Sequence, residues 1–162
     1  MRSFVGYWLP PLSWMALIWS VSSDIGSPEH SAGFFAWVAS VLVPWATPSQ
    51  VALVHLVARK LGHVAEYAIL ATLWFRLLYA DRRLPSTPSA LAALAISVVW
   101  AIVDEVHQSF VPSRTASALD VLLDSTGAAL ALLVLFTSMS ERGFRPRNRI
   151  LGGGGEERAE GA

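Results

Sequence analysis

Four times along its 162 residues this chain runs for about a bilayer's thickness with at most two charged side chains. The stretches are residues 4–21, 61–80, 89–107 and 119–138. A helix rises about 1.5 Å per residue, so roughly 20 residues cross the hydrocarbon core. Inside lipid no water is present to satisfy the backbone, and helices satisfy it internally. The expected fold is therefore all-α, a four-helix transmembrane bundle forming one domain over residues 1–140. Composition agrees. Hydrophobic residues make up 54% and charged residues 15%, with a mean hydropathy of +0.48, whereas soluble domains carry about 25% charge.

The first segment is expected to be a retained helix and not a cleaved signal. A single arginine precedes it, Pro10 and Pro11 interrupt the apolar run, and no A-x-A site follows. Twelve basic and twelve acidic residues cancel, so nothing points to a nucleic-acid partner. Cysteine is absent, which excludes disulfides and thiolate chemistry from this chain.

Arginine placement predicts orientation. Arg76, Arg82 and Arg83 fall between the second and third segments, and Arg142, Arg145, Arg147 and Arg149 follow the fourth. The positive-inside rule puts both clusters in the cytoplasm, and four crossings then bring Arg2 and both termini to that side. The chain is thus expected to be a multi-pass membrane protein. Arg59, Lys60 and Arg114 are left on the outer side. They break the charge rule, which marks them for function.

Between the first two crossings, residues 32–43 are apolar but too short to span. A short helix lying in the outer interface, or packed on the bundle, is expected there. Thr47-Pro48-Ser49-Gln50 reads as a helix start, with Thr at N-cap, Pro at N1 and Gln at N3. From it a helix should run unbroken to Tyr79. The basic, glycine-rich tail over 141–162 is expected to be cytoplasmic and disordered.

The polar residues within these helices fall at one depth. Lys60, His63 and Tyr67 share a face of the second helix, with Glu66 adjoining. Asp104 lies three residues before His107 and four before Gln108, with Glu105 beside it. Asp120, Asp124 and Gly127 are spaced i, i+4, i+7 on the last helix. Burying one such charge alone in lipid costs about 2.5–3.5 kcal/mol on insertion scales. The groups should therefore face one another or a wet cavity. The loop after "DEVHQ" should fold its Pro112 and Arg114 over the site, letting Arg114 compensate the acids. His30 and His55 find no partner in the sequence and read as surface residues.

At these positions "RKLGHVAEYAIL" and "DEVHQSFVPSRTASALDVLLDSTGAALA" resemble the VanZ-like family of small bacterial membrane proteins. The family pattern pairs H-x-x-x-Y with D/E-x-x-Q-x-F-x-P-G-R and D-x-x-x-N-x-x-G-x-x-x-G. The matching residues are His63 and Tyr67, then Glu105, Gln108, Phe110, Pro112 and Arg114, then Asp120 and Gly127. The resemblance is strongest over residues 59–135. Ser113, Asp124 and Ala131 depart from it, standing where glycine, asparagine and glycine are usual. It implies an integral membrane protein of the cell envelope. The family takes its name from a protein conferring resistance to the glycopeptide teicoplanin.

Several functions remain open for the cluster of Lys60, His63, Glu66, Tyr67, Asp104, Glu105, His107, Gln108, Arg114, Asp120 and Asp124. It can be a salt-bridge knot that locks helices. It can be an outer-leaflet recognition site for a lipid head group or glycopeptide, contributing to tolerance by binding or shielding. As an enzyme it would act on a lipid-linked phosphate or sugar, with Lys60 and Arg114 on the phosphate and His63 or His107 as acid/base. No nucleophilic serine or cysteine motif supports that alternative. His63 and His107 with an acid could form a two-histidine metal site, but no metal or cofactor is expected. Membrane lipids are the expected partners.

Overall fold

The computed structural model describes residues 4–23, 28–82, 84 and 86–143. Among them are five α-helices and no strand: α1 (Leu9–Ser22), α2 (Pro28–Leu42), α3 (Pro48–Arg76), α4 (Ser86–Gln108) and α5 (Ala118–Gly143). A π-helical turn, Phe4–Trp8, leads into α1, and a second, Leu77–Asp81, extends α3. The tail lies outside the described residues from 144 onward, and α5 itself reaches three residues past its expected boundary.

Three helical stretches are long and apolar enough to cross a membrane: Phe4–Ser22, Ser86–Gln108 and Ala118–Met139. The stretch at 61–80, expected as a fourth, is not among them. Its helix is the central one. α3 packs against α1, α2, α4 and α5, most extensively against α5. A helix packed among other helices can carry His63, Glu66 and Tyr67 without presenting them fully to lipid, and its apolar content falls accordingly. α1 and α5 each pack on both α3 and α4.

The start of α3 follows the capping chemistry in the sequence. Thr47 Oγ1 accepts from the Gln50 amide at 3.3 Å, and Gln50 Oε1 accepts from the Thr47 amide at 2.9 Å. Such reciprocal caps satisfy two amides that a helix leaves unpaired, contributing about 1 kcal/mol. The expected unbroken helix to Tyr79 is instead α-helical to Arg76 and π-helical beyond.

At the other end of the molecule the two prolines have a structural cost. Gly6 O would accept from residue 10 in an α-helix and from residue 11 in a π-helix. Both are proline and have no N–H. Arg76 Nη2 reaches across from α3 and donates to that carbonyl at 3.2 Å. Its guanidinium also lies 5.2 Å from the Tyr7 ring centroid. Trp8 meets Trp74 edge-on at 6.3 Å and takes Arg82 over its ring at 5.1 Å, contacts of about 0.5–1 kcal/mol each.

Close helix approach depends on small residues. Ser89, Ala93, Ser97 and Ala101 recur every four residues along α4, all buried. On α5, Gly127 touches the backbone of α3 so closely that a Cβ there would sit 2.3 Å from Val64 O. No side chain fits in that crossing. The core around it comprises Tyr67, Leu70, Ala71, Ala128 and Leu132.

α2 is different. Its principal packing partner is α3, and Phe34, Trp37, Leu42 and the following Trp45 are well exposed. A short apolar helix was expected over 32–43; it begins earlier, at Pro28.

Candidate functional site

Five pairings gather where the end of α1, the middle of α3, the end of α4 and the start of α5 meet, around the loop that joins the last two. Ser22 closes α1 and donates its hydroxyl to Asp104 Oδ2 at 2.7 Å. Gln108, one turn further along α4, donates to the same oxygen at 2.9 Å. Asp104 is only 1% exposed, and its second oxygen, Oδ1, has no hydrogen-bond partner among the described residues. Glu105 turns to the loop, where Oε2 accepts from the Ser117 amide at 2.7 Å. That bond ties the turn before α5 to the end of α4.

Two contacts join α3 to α5. Lys60 pairs with Asp120. His63 Nδ1 lies 3.7 Å from Asp124 Oδ1, a separation that allows a charge contact and exceeds a hydrogen bond. Asp124 is 1% exposed. Gly127 sets this geometry, because it stands one turn below Asp124 on α5 and touches Val64, the residue after His63. The tight crossing therefore brings the histidine to the acid.

Arg114 takes another role than the expected one. Its Nη2 donates to Val21 O at 2.6 Å and to Ser23 O at 3.4 Å. These carbonyls end α1, where a helix has no amides left to pair them and where a cation is favoured. No ion pair within 4.0 Å joins Arg114 to Asp104 or Glu105; Glu105 Oε2 takes the Ser117 amide instead, and Oε1 has no hydrogen-bond partner among the described residues. Burial and the nearby Arg59 charge lower the Arg114 pKa, while Asp104, Glu66 and Glu105 raise it in part. Guanidinium stays protonated throughout the physiological range.

Two cavities open among these groups. One, of about 270 Å³, is lined by Arg59, Lys60, His63, Gln108, Arg114 and Asp120 among others. The other, of about 160 Å³, lies between Ser22, Arg59, Gly62, His63, Glu66 and Arg114. Arg59, His63 and Arg114 border both. Glu66 lines the second cavity and accepts from Trp14 Nε1 through its backbone carbonyl at 2.9 Å.

Of the residues singled out in the sequence, Lys60, His63, Gln108, Arg114 and Asp120 share the larger cavity and Glu66 joins the smaller. Asp104, Glu105 and Asp124 lie buried behind them. Tyr67 is fully buried, and its hydroxyl makes no hydrogen bond among the described residues. His107 departs from the group: its ring stacks on Trp19 of α1 at 3.8 Å between centroids and lines neither cavity. Among the described residues no set of three His, Asp or Glu side chains stands close enough to hold a metal ion.

Other participants escaped the sequence reading. Ser22 and the α1 carbonyls carry no motif, and the Ser117 amide is a backbone group. His55, expected at the surface, is 9% exposed, with its ring 4.6 Å from that of Phe35 and Nε2 3.0 Å from Ser31 Oγ. The reason is α2, which covers this side of α3. The His30 side chain lies outside the described residues.

The chemistry available is that of a cavity rimmed by three cations and a histidine above buried carboxylates. It can bind an anion and exchange a proton. A comparison with solved structures finds no match, and a comparison with curated proteins finds none either. The family model described as VanZ/LLP1 matches residues 7–139. The match spans all five helices and every residue of the site, and with helices built to cross a membrane it makes this chain a membrane protein belonging to the VanZ/LLP1 family.

Proposed function

We propose that α1, α3, α4 and α5 cross the bacterial cytoplasmic membrane, both termini lying in the cytoplasm, and that their outer ends form a recognition site. The site takes a polar or anionic head group, from a lipid or a glycopeptide, and contributes to teicoplanin-type tolerance by binding or shielding. The observation that carries this reading is the pair of cavities sharing Arg59, His63 and Arg114. Charges left at a lipid depth cost free energy unless they serve one another or a ligand. Here only part of the set is internally satisfied. Orientation rests on the arginine clusters at 82–83 and 142–149.

Because the chain lacks cysteine, introduced cysteines report topology cleanly. In intact cells an impermeant maleimide should label positions 113–118 and spare Ser86→Cys and Ser140→Cys. The reverse pattern overturns the orientation.

A second reading is favoured by one contact, the 3.7 Å approach of His63 to the buried Asp124. A histidine oriented by an acid, beside Arg59 and Arg114, is an acid/base arrangement suited to a lipid-linked phosphate or sugar. Mass spectrometry of lipid-linked envelope precursors, with and without expression, separates the two. Recognition alone leaves the precursors unchanged while tolerance persists. A new or missing precursor that returns to normal in His63→Ala establishes the enzyme.

A further inference from the structure

The two cavities of the site differ in what they offer a ligand. The larger, of about 270 Å³, is lined by the cations Arg59, Lys60 and Arg114 and by the hydroxyl-bearing Ser113 and Thr115. The smaller, of about 160 Å³, shares Arg59, His63 and Arg114 with it and adds Ser22 and Glu66. Ser22 gives its only hydroxyl proton to Asp104 Oδ2, so to anything else it can only accept. Glu66 is partly buried, yet its carboxylate makes no hydrogen bond and no ion pair within 4.0 Å among the described residues. A charge held at membrane depth is costly unless something meets it. Glu66 is thus an acceptor in want of a donor.

Cations along the shared wall and acceptors beyond it match a ligand that is anionic at one point and carries a donor close by. We propose that the paired cavities recognise a phosphate ester of a primary amine, a group of the phosphoethanolamine type. Its phosphate takes the wall of Arg59 and Arg114, whose N–H donors match phosphate oxygens, and its ammonium meets Glu66 and Ser22. The inference rests on the recognition reading and deepens it by naming the ligand class. Charge selects an ammonium over a hydroxyl. Among the charges acting on Glu66, that of Asp104 is the strongest, ahead of Arg114 and Arg59, so a second carboxylate stands behind the first. Lining selects a primary over a quaternary amine. Quaternary ammonium groups lack N–H donors and are held by aromatic faces, and among the described residues no Phe, Tyr or Trp lines the smaller cavity. Size agrees, since both volumes fall below the roughly 300–1,000 Å³ of a drug-sized pocket and suit a group of a few heavy atoms.

The test titrates the full chain in detergent, by calorimetry, with O-phosphoethanolamine, phosphocholine, glycerol 3-phosphate and inorganic phosphate. O-Phosphoethanolamine should bind about tenfold more tightly than the other three, the gain expected from one charge-assisted hydrogen bond. Glu66→Gln should remove that preference and leave inorganic phosphate at least as tightly bound, because a negative charge has gone. A purely structural glutamate would instead weaken all four alike. Arg59→Gln should weaken all four. Native mass spectrometry of protein released from nanodiscs of mixed lipid separates the sources. Retention of phosphatidylethanolamine over phosphatidylcholine, lost in Glu66→Gln, marks a lipid head group; binding of the soluble ester alone marks a free ligand. Equal binding of phosphocholine or glycerol 3-phosphate, a preference that survives Glu66→Gln, or binding indifferent to Arg59→Gln overturns the proposal while the recognition reading stands. If no phosphate compound binds and no lipid is retained selectively, the recognition reading falls with it. Circular dichroism and size exclusion of each variant confirm that it folds.

Discussion

The two parts of α3 were built for different surroundings. From Arg59 to Arg76 the helix carries most of its polar residues, yet Tyr67 and Leu70 are 0% exposed. From Pro48 to Ala58 it carries no charge at all, yet Leu53 and Val54 are about 60% exposed. In water this ordering would be inverted, since burial of apolar area drives folding there. In a bilayer the lipid is as apolar as leucine, so packing and polar pairing decide which surface turns inward. The enclosed part is held by small-residue contact and by charge; the bare part packs on α2, where His55 meets Phe35 and Ser31.

That contrast can be broken most severely at Gly127. Gly127→Ala places a methyl group 2.3 Å from Val64 O. A backbone obstacle cannot rotate away, so the α3–α5 crossing must open. We expect destabilisation of about 3 kcal/mol, the upper range for overpacking, measured as loss of monodisperse protein on thermal challenge in detergent. Tolerance of the alanine without change would mean that the crossing is not as tight as described.

An intermediate effect is expected where the enclosed part meets α1. Arg114→Ala removes the donor from Val21 O and Ser23 O, costing about 1.5–3 kcal/mol for a charged hydrogen bond. Glu105→Gln weakens a separate bond, to the Ser117 amide. The two residues share no hydrogen-bond partner, and only the attraction between their charges couples them, so their double mutant should depart from additivity by no more than about 0.5 kcal/mol. Coupling well beyond that would restore the direct compensation that the sequence suggested.

The smallest effect carries the opposite sign. Gly33 sits inside α2, and a Cβ there meets nothing within 4 Å. Gly33→Ala should therefore stabilise the bare region by up to about 1 kcal/mol through helix propensity, read as slower hydrogen exchange over α2. Destabilisation instead would show that something covers that face.

Much of the site was legible because it is helical. Periodicity alone set Lys60, His63 and Tyr67 on one face and Asp120 and Asp124 on another, and the cap at Thr47 announced α3. What the sequence hid has a common cause. Arg114 bonds carbonyls, and Glu105 bonds an amide. Backbone groups exist at every position, so they leave no letter to find. His107 has the spacing of a site residue, but its ring found a tryptophan on α1. Spacing gives a direction on one helix and says nothing of which neighbour lies there. α3 falls short of the hydropathy of the other long helices for a related reason, since an enclosed helix need not look like a lipid-facing one.

α1 is grasped at both ends by arginines from elsewhere in the chain, Arg76 at Gly6 O and Arg114 at Val21 O and Ser23 O. Both grips close on carbonyl oxygens, which every amino acid supplies. Mutations along α1 away from Trp14, Trp19 and Ser22, whose side chains meet Glu66 O, His107 and Asp104, can therefore accumulate without loosening these two grips, provided length and apolarity are kept. Over evolutionary time those remaining positions should diverge faster than the site residues of α3, α4 and α5. The same freedom makes it the natural segment to exchange between relatives, since a transplanted α1 would bring its own carbonyls to arginines already in place.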